Sequence, residues 1–256
     1  MSMSELHKPE WYGECAIISD KYNDYVQIKY KCNGTGTLYD YSLFPGINLI
    51  FMDFNCSDIF YEPIPNKNII EIRHYQKGRV EFELRNNKVF HMKEGELCIN
   101  ALANVPAAYS FPFGYSVGLS CVIDKDSIDA KTKQIFSYYN IDVLNLGQEL
   151  EIEKKWFLCR TPQRLLHIFD ELYAAKGVEG KDYFRIKLLE LFYHIKQLRI
   201  EDQYEATYYS KKQIEIIKRI RHQLIENLDK KLSIEELLRK EPMSKATFQA
   251  IFKQIY

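Results

Sequence analysis

The residues whose types and spacing point most directly to a chemistry lie in the run Leu232-Ser-Ile-Glu-Glu-Leu-Leu-Arg-Lys-Glu-Pro-Met-Ser-Lys-Ala-Thr-Phe-Gln-Ala-Ile-Phe-Lys-Gln-Ile-Tyr256. Ser233 with Glu236 three residues later makes a capping box, so a helix begins there. Pro242 disfavours helical backbone at Glu241 and keeps that helix short. Ser244 then N-caps a second helix. Its apolar face is Phe248, Ile251, Phe252 and Ile255, and its other face holds Lys245, Ala246, Gln249, Ala250 and Lys253. Two short helices across a tight turn form a helix-turn-helix, whose polar second helix is free to enter a DNA major groove. A plain helical hairpin packed on the body of the protein has the same pattern. Residues 211–227, with Ile214, Ile217, Ile220, Leu224, Ile225 and Leu228 on one side, supply a third, supporting helix and favour the DNA reading. The expected DNA-binding set is Ser244, Lys245, Ala246, Thr247, Gln249, Ala250 and Lys253.

Charge points the same way. Residues 208–256 carry 11 Lys and Arg against 6 Asp and Glu, a net of +5, and the rest of the chain therefore carries −5. A basic end behind an acidic body suggests nucleic-acid binding, although a helical segment of that charge is often only a solvated face.

Other chemistries find less support. A metal-dependent β-barrel needs convergent His and carboxylate ligands. Of His7, His74, His91, His167, His194 and His222, only His74 and His91 fall in the strand-like part, with no His-x-His, and they read as rim or surface residues. No G-x-S-x-G, Walker A or H-E-x-x-H occurs, and Gly34-Thr-Gly36 lacks the strand-to-helix context and third glycine of a dinucleotide site. The expectation is no enzyme activity, no catalytic residue, no metal and no cofactor. Cys15, Cys32, Cys56, Cys98, Cys121 and Cys159 include no C-x-x-C pair and read as reduced, mostly core thiols. Tyr39, Tyr41, Phe51, Phe54, Phe82 and Tyr115 sit at strand-like positions. Half or more of these read as core and the remainder as lining an apolar effector pocket.

The elements that must position these residues change character along the chain. From about 15 to 123, short apolar stretches such as Leu49-Ile-Phe-Met-Asp-Phe and Ile69-Ile-Glu-Ile-Arg-His-Tyr alternate with turn residues, which suggests a sandwich or barrel. Val80-Glu-Phe-Glu-Leu alternates cleanly, predicting one wet and one buried face. Lys77-Gly78 and Asn86-Asn87 bracket a hairpin arm. From about 125 the period becomes helical. A helix is predicted over 126–138, while 150–159 reads as a strand or a helical turn. Another helix starts with Thr161 as N-cap and Pro162 in its first turn, and stops at Gly177. Residues 182–198 carry a wide stripe of Phe184, Leu188, Leu191, Phe192, Ile195 and Leu198, which fits either a homodimer seam or packing on the chain's own β domain. Residues 201–209 read as a linker.

With 256 residues, 46% hydrophobic and 27% charged, the composition is that of a globular chain of one or two domains. The N-terminal residues show no signal-peptide pattern, and no apolar run reaches the ~18 residues of a membrane span. The expected location is the cytoplasm, with no membrane partner.

The segment 211–256 resembles the first helix-turn-helix of AraC/XylS-family bacterial transcription regulators. Leu232-Ser233-Ile234-Glu235-Glu236-Leu237-Leu238 matches the family's first helix, and Met243-Ser244 through Phe252-Lys253 matches its recognition helix. Phe44-Pro-Gly-Ile, Ile70 to Glu83, Lys93 to Ile99 and Phe111 to Gly118 resemble the family's cupin-like sensor domain. The resemblance implies an α+β chain: a cupin-like β-barrel or sandwich sensing a small molecule over 1–123, a helical dimerisation segment over 124–200, and an all-α helix-turn-helix subdomain over 210–256. The family's second helix-turn-helix has no counterpart here, so the sequence reads as part of a longer regulator. Where the family often has Arg, Ala250 offers only apolar contact, for example with a thymine methyl. Gln249 is the adenine reader, and Lys245 and Lys253 are phosphate contacts. Implied partners are double-stranded DNA, a small-molecule effector and a second copy of the chain. The alternative is a metal-dependent or ligand-binding cupin protein whose helical tail serves only oligomerisation.

Overall fold

The computed structural model describes residues 12–61, 68–101, 106–228 and 232–256. His7 and the residues read for a signal peptide lie outside them. The fold is α+β. Ten strands come from the first half: β1 (Ala16–Lys21), β2 (Val26–Tyr30), β3 (Gly34–Phe44), β4 (Ile47–Cys56), β5 (Phe60–Tyr61), β6 (Ile69–Glu83), β7 (Lys88–Lys93), β8 (Glu96–Ala101), β9 (Ala108–Ser110) and β10 (Tyr115–Asp124). Two later strands, β11 (Phe157–Arg160) and β12 (Tyr209–Ser210), pair with β8 and β7. The main path runs β1-β2-β3-β4-β10-β6-β7-β12, antiparallel throughout.

Strand β6 makes this sheet curl, because it serves two sets of neighbours. Its first part pairs with β10 and β8, and its last part with β7 and β9. The change falls at Gly78, where φ is +81° and an added Cβ would stand 2.4 Å from the Tyr115 carbonyl oxygen. Only glycine fits there, and the ladder with β10 shifts register beside it. The arm that follows, Arg79 to Glu83, therefore leaves the sheet at a new angle.

Alternation along the strands sorts side chains onto two faces. Leu49, Phe51, Ile70, Ile72, Leu97, Ile99, Leu119 and Cys121 pack in one core with the helices. Ile28, Leu38, Ile50, Phe54, Phe82, Phe90, Cys98 and Val122 pack in a second core, drawn from strands at both ends of the sheet and so enclosed by its curl. Helices α1 (Ala130–Tyr138), α2 (Gln163–Ala175) and α3 (Lys181–Ile195) cover the first face.

Helix α3 carries a correction. Phe184, Leu188, Leu191, Phe192, Ile195 and Leu198 are each at most 1% exposed, packed in the core that the helix shares with its own sheet. The stripe is used inside the chain and is not a seam open to a second copy. Three local expectations also shift. Pro162, in extended backbone, holds the N-cap position of α2, while the Thr161 N–H is spent on the Gly95 carbonyl at 3.0 Å. The ambiguous stretch 150–159 ends as strand β11, preceded by a 3-10 turn at Gln148–Leu150. Residues 201–209 are not a free linker: the Tyr204 N–H donates to the Leu158 carbonyl at 3.0 Å, and Tyr209 and Ser210 join the sheet.

The remaining helices are α4 (Lys211–Glu226), α5 (Ile234–Leu238) and α6 (Lys245–Ile255). Ile214, Ile216, Ile217, Ile220, Leu238, Phe248, Ile251 and Ile255 form their core, together with Val89 of β7; Ile225 and Leu228, expected on the same side of α4, are instead exposed at 48% and 82%, and Ile216 takes their place in the core.

Candidate nucleic-acid interface

Local chemistry sets the ends of α5 and α6. The Glu236 N–H donates to Ser233 Oγ at 3.2 Å, and the Ser233 N–H donates to Glu236 Oε2 at 3.0 Å. The Thr247 N–H donates to Ser244 Oγ at 3.1 Å. Each bond satisfies a donor that the helix start leaves unpaired. Arg219 of α4 grips Glu241 in the turn between α5 and α6 through Nη2, with 2.8 and 2.7 Å contacts to Oε1 and Oε2. Burial of Phe248, Ile251 and Ile255 then leaves one face of α6 outward. Ser244, Lys245, Ala246, Gln249, Ala250 and Lys253 are exposed and Thr247 is half-buried, so all seven residues expected to meet DNA lie at or near the surface of one capped helix. Lys245 Nζ is ion-paired with Glu235 of α5, a surface pair that a phosphate can replace at little cost.

The opposite side of this helical unit meets the sheet. Arg79 Nη1 donates to the carbonyls of Gln254, at 2.6 Å, and Ile255 at the end of α6. Its guanidinium also lies 5.3 Å from the centre of the Phe113 ring, which stands 6.2 Å from Tyr256. Lys218 of α4 donates to Glu81 Oε1 at 2.5 Å, and Lys211 donates to Glu83 Oε1 at 2.6 Å. Glu81 was expected on a wet face and is 6% exposed. The reason is tertiary, since β7, β9 and α4 close over it. His91 Nε2 lies 3.0 Å from Oε2, and Ser110 Oγ donates to Oε1 at 3.3 Å. Burial pushes this carboxyl up, but the bonds and charges of His91 and Lys218 outweigh it and hold it below the usual carboxylate range.

The six aromatics expected around a pocket do not converge. Tyr41 and Phe51, with Tyr39 packed against them, belong to the helix-covered core; Phe54 and Phe82 belong to the enclosed core; Tyr115 is 44% exposed. The two-residue period puts the odd-numbered positions of β3 and β4 on the helix side. The enclosed face instead holds a polar seam that sequence reading missed. Arg73 Nη2 pairs with Glu71 Oε2 at 2.6 Å, Ser120 Oγ donates to Glu71 Oε1, and the Arg73 guanidinium lies 5.0 Å from the Phe82 ring centre and 5.6 Å from that of Trp156. The available signal was Glu71 and Arg73 two residues apart in an otherwise apolar strand, which reads equally as a wet face. A separate cleft near β2, lined in part by Tyr22, Tyr25, Asp40 and Lys181, holds about 190 Å³, below the roughly 300–1,000 Å³ of small-molecule sites.

Neither strand histidine is a rim residue. His74 is 1% exposed, stacked on Phe169 with ring centres 4.1 Å apart, and its Nδ1 lies 3.1 Å from Tyr173 Oη. His91 serves Glu81. Among the described residues no group of three or more His, Cys, Asp or Glu is placed to hold a metal ion. No helix among them is long and apolar enough to cross a membrane.

No protein-family model matches the chain and no curated protein matches it. Among solved structures it is similar to the AraC-like transcriptional activator CuxR, at 10% identity over 86% of this chain and 75% of that one, with a TM-score of 0.40. It is also similar to wild-type ToxT from Vibrio cholerae strain SCE256 bound to an unsaturated fatty acid, at 10% identity over 81% of this chain and 73% of that one, with a TM-score of 0.38. Identities and TM-scores this low transfer no activity to this chain.

Proposed function

We propose that this chain is a DNA-binding transcription regulator of the AraC/XylS type, in which the curled sheet binds a small-molecule effector and α6 reads a major groove. The observation that carries the reading is the outward face of α6: a capped helix, buttressed by α4 and α5, that presents polar and small side chains on a segment of net charge +5. Gln249 reads adenine, Ala246 and Ala250 meet thymine methyls, Ser244 and Thr247 approach the backbone, and Lys245 and Lys253 neutralise phosphates. The effector belongs on the enclosed face, where Arg73, Glu71 and Ser120 offer polar groups beside Phe82 and Trp156. Such a regulator acts in the cytoplasm and needs neither catalysis nor a cofactor. Pairing of two copies must use surfaces other than the buried stripe of α3.

The test is fluorescence anisotropy with a mixed-sequence DNA duplex over roughly 50 to 200 mM salt. Lys245→Ala and Lys253→Ala should each make the log–log salt slope shallower by about one. Slopes identical to wild type in both variants would show that α6 does not meet the phosphates.

A further inference from the structure

We propose that Cys32 and Cys56 form a peroxide-responsive thiol pair, which closes to a disulfide and fastens the tip of the β2–β3 hairpin to the end of β4. The pair belongs to the sheet and stands whether or not α6 meets DNA.

Register brings the two thiols together. Strand β2 pairs with β3 as far as Lys29 and Thr37, so the next rung sets Tyr30 beside Gly36, which pairs with Phe54 of β4. Gly36 has no side chain, and a Cβ there would stand 2.7 Å from the Phe54 ring and 3.1 Å from the Tyr30 Cβ. The rings of Tyr30 and Phe54 therefore meet across β3, with centres 5.2 Å apart. Two places along a strand, side chains return to the same face. There the sequence repeats the arrangement with thiols, as Cys32, Gly34 and Cys56, and Gly34 pairs with Cys56. A Cβ on Gly34 would stand 3.1 Å from the Cys56 Cβ and 2.1 Å from the Asn55 carbonyl oxygen, so only glycine fits. The bare glycine leaves room for Cys32, which packs on the enclosed core that holds Cys56. The two thiols are hydrogen-bonded to each other.

Neighbouring contacts hold the pair in place. The Asn33 N–H donates to Asp58 Oδ2 at 2.6 Å, and Asn33 Nδ2 donates to Oδ1 at 3.3 Å. This clamp ties the hairpin tip to the chain just past β4. Cys15 is near in the sheet, since its carbonyl accepts the Lys31 N–H at 2.8 Å. Its neighbour Ala16 packs on the enclosed core, however, so alternation turns the exposed Cys15 to the other side.

The chemistry is a two-step oxidation by hydrogen peroxide. Cys32 is half-buried and meets the oxidant first. Its sulfur attacks one peroxide oxygen, the O–O bond breaks, and the thiol proton leaves with the other oxygen as water. Cys32 is now a sulfenic acid. Cys56 is 4% exposed, and burial, then the hydrogen bond with Cys32, push its thiol up to about 12, so it does not compete for peroxide. Its sulfur then attacks the Cys32 sulfur. The S–O bond breaks, the hydroxyl leaves with the Cys56 proton as a second water, and the S–S bond forms. The two thiols lose two electrons and the peroxide gains them. In a reducing compartment such a bond is transient, as a sensor requires. It closes at the rim of the enclosed core, where Tyr30, Phe54 and Phe60 meet, and so braces that edge of the sheet.

The test treats the reduced full chain with hydrogen peroxide and digests it without reductant. Mass spectrometry should find the Cys32 and Cys56 peptides joined, and dithiothreitol should separate them. The thermal midpoint should rise by ~5–10 °C on oxidation and stay unchanged in Cys32→Ser. In Cys56→Ala, oxidation should stop at a sulfenic acid that dimedone traps on Cys32. No joined peptide, or Cys32 joined to Cys15, overturns the pair. A link that forms as fast in urea as in the folded chain overturns the claim that register brings the thiols together. A joined peptide with an unchanged midpoint overturns the brace. Dimedone trapping on Cys56 in Cys32→Ser, as fast as on Cys32 in Cys56→Ala, overturns the order of the two steps.

Discussion

Replacing Phe184 by Ala is expected to destabilise the fold by about 3–5 kcal/mol, and to do so equally at low and high protein concentration. Phe184 is fully buried, with its ring 4.8 Å from Tyr41 and 5.6 Å from Phe51. Its partners are thus the sheet of its own chain. Truncation leaves a cavity between α3 and strands β3 and β4, whose backbones are fixed by the ladder and cannot collapse to fill it. The loss combines the transfer term of the ring with the cavity term. Urea unfolding at two protein concentrations checks it. If the stripe of α3 were instead the seam of a dimer, the loss would shrink as concentration rises and the variant would dissociate before unfolding. A concentration-dependent midpoint, or a loss below about 1 kcal/mol, would return this helix to the dimer reading.

His74 gives the second large effect, and its sign is set by burial. Removal from water pulls its pKa from the ordinary 6.5 down to about 4, because the charged ring loses solvation in a site that offers no carboxylate in return. The Tyr173 hydroxyl donates to the His74 carbonyl at 2.9 Å, so it receives a proton from Nδ1, which fixes a neutral tautomer. As pH falls, the unfolded chain takes up the proton first. The stabilisation from a neutral His74 is therefore fully present above pH 6.5 and is lost progressively down to about 4. Over that window the loss is about 3 kcal/mol. The carboxyl of Glu81, held below its usual range, contributes a loss only at lower pH, so the upper part of the window isolates the histidine. His74→Phe keeps the stack on Phe169 and removes the titration. Its stability should vary much less with pH between 6.5 and 4.5 than that of wild type. Equal slopes for the two proteins would show that His74 is not the group responsible.

Both effects depend on features that the sequence left ambiguous. A helical period identified the stripe on residues 182–198, but a stripe says only that one face is apolar. Whether a second chain or its own sheet covers it depends on where a strand some 140 residues away comes to lie. Alternation in Val80 to Leu84 marked two faces. It did not show that α4, arriving more than 130 positions later with Lys218, would close over Glu81. The aromatics of β3 and β4 were recognisable as strand residues, yet only the register of the sheet divides them between two cores.

What the sequence determined by itself is local. The capping pairs Ser233–Glu236 and Ser244–Thr247 and the apolar face of α6 each depend on residues within a few positions of one another. The tertiary structure alone decided which buried charges find partners, which faces meet, and that the sheet grips the C-terminal end of α6. Those outcomes are contacts between residues distant in the chain, and their free energies come from desolvation and packing that no short segment contains.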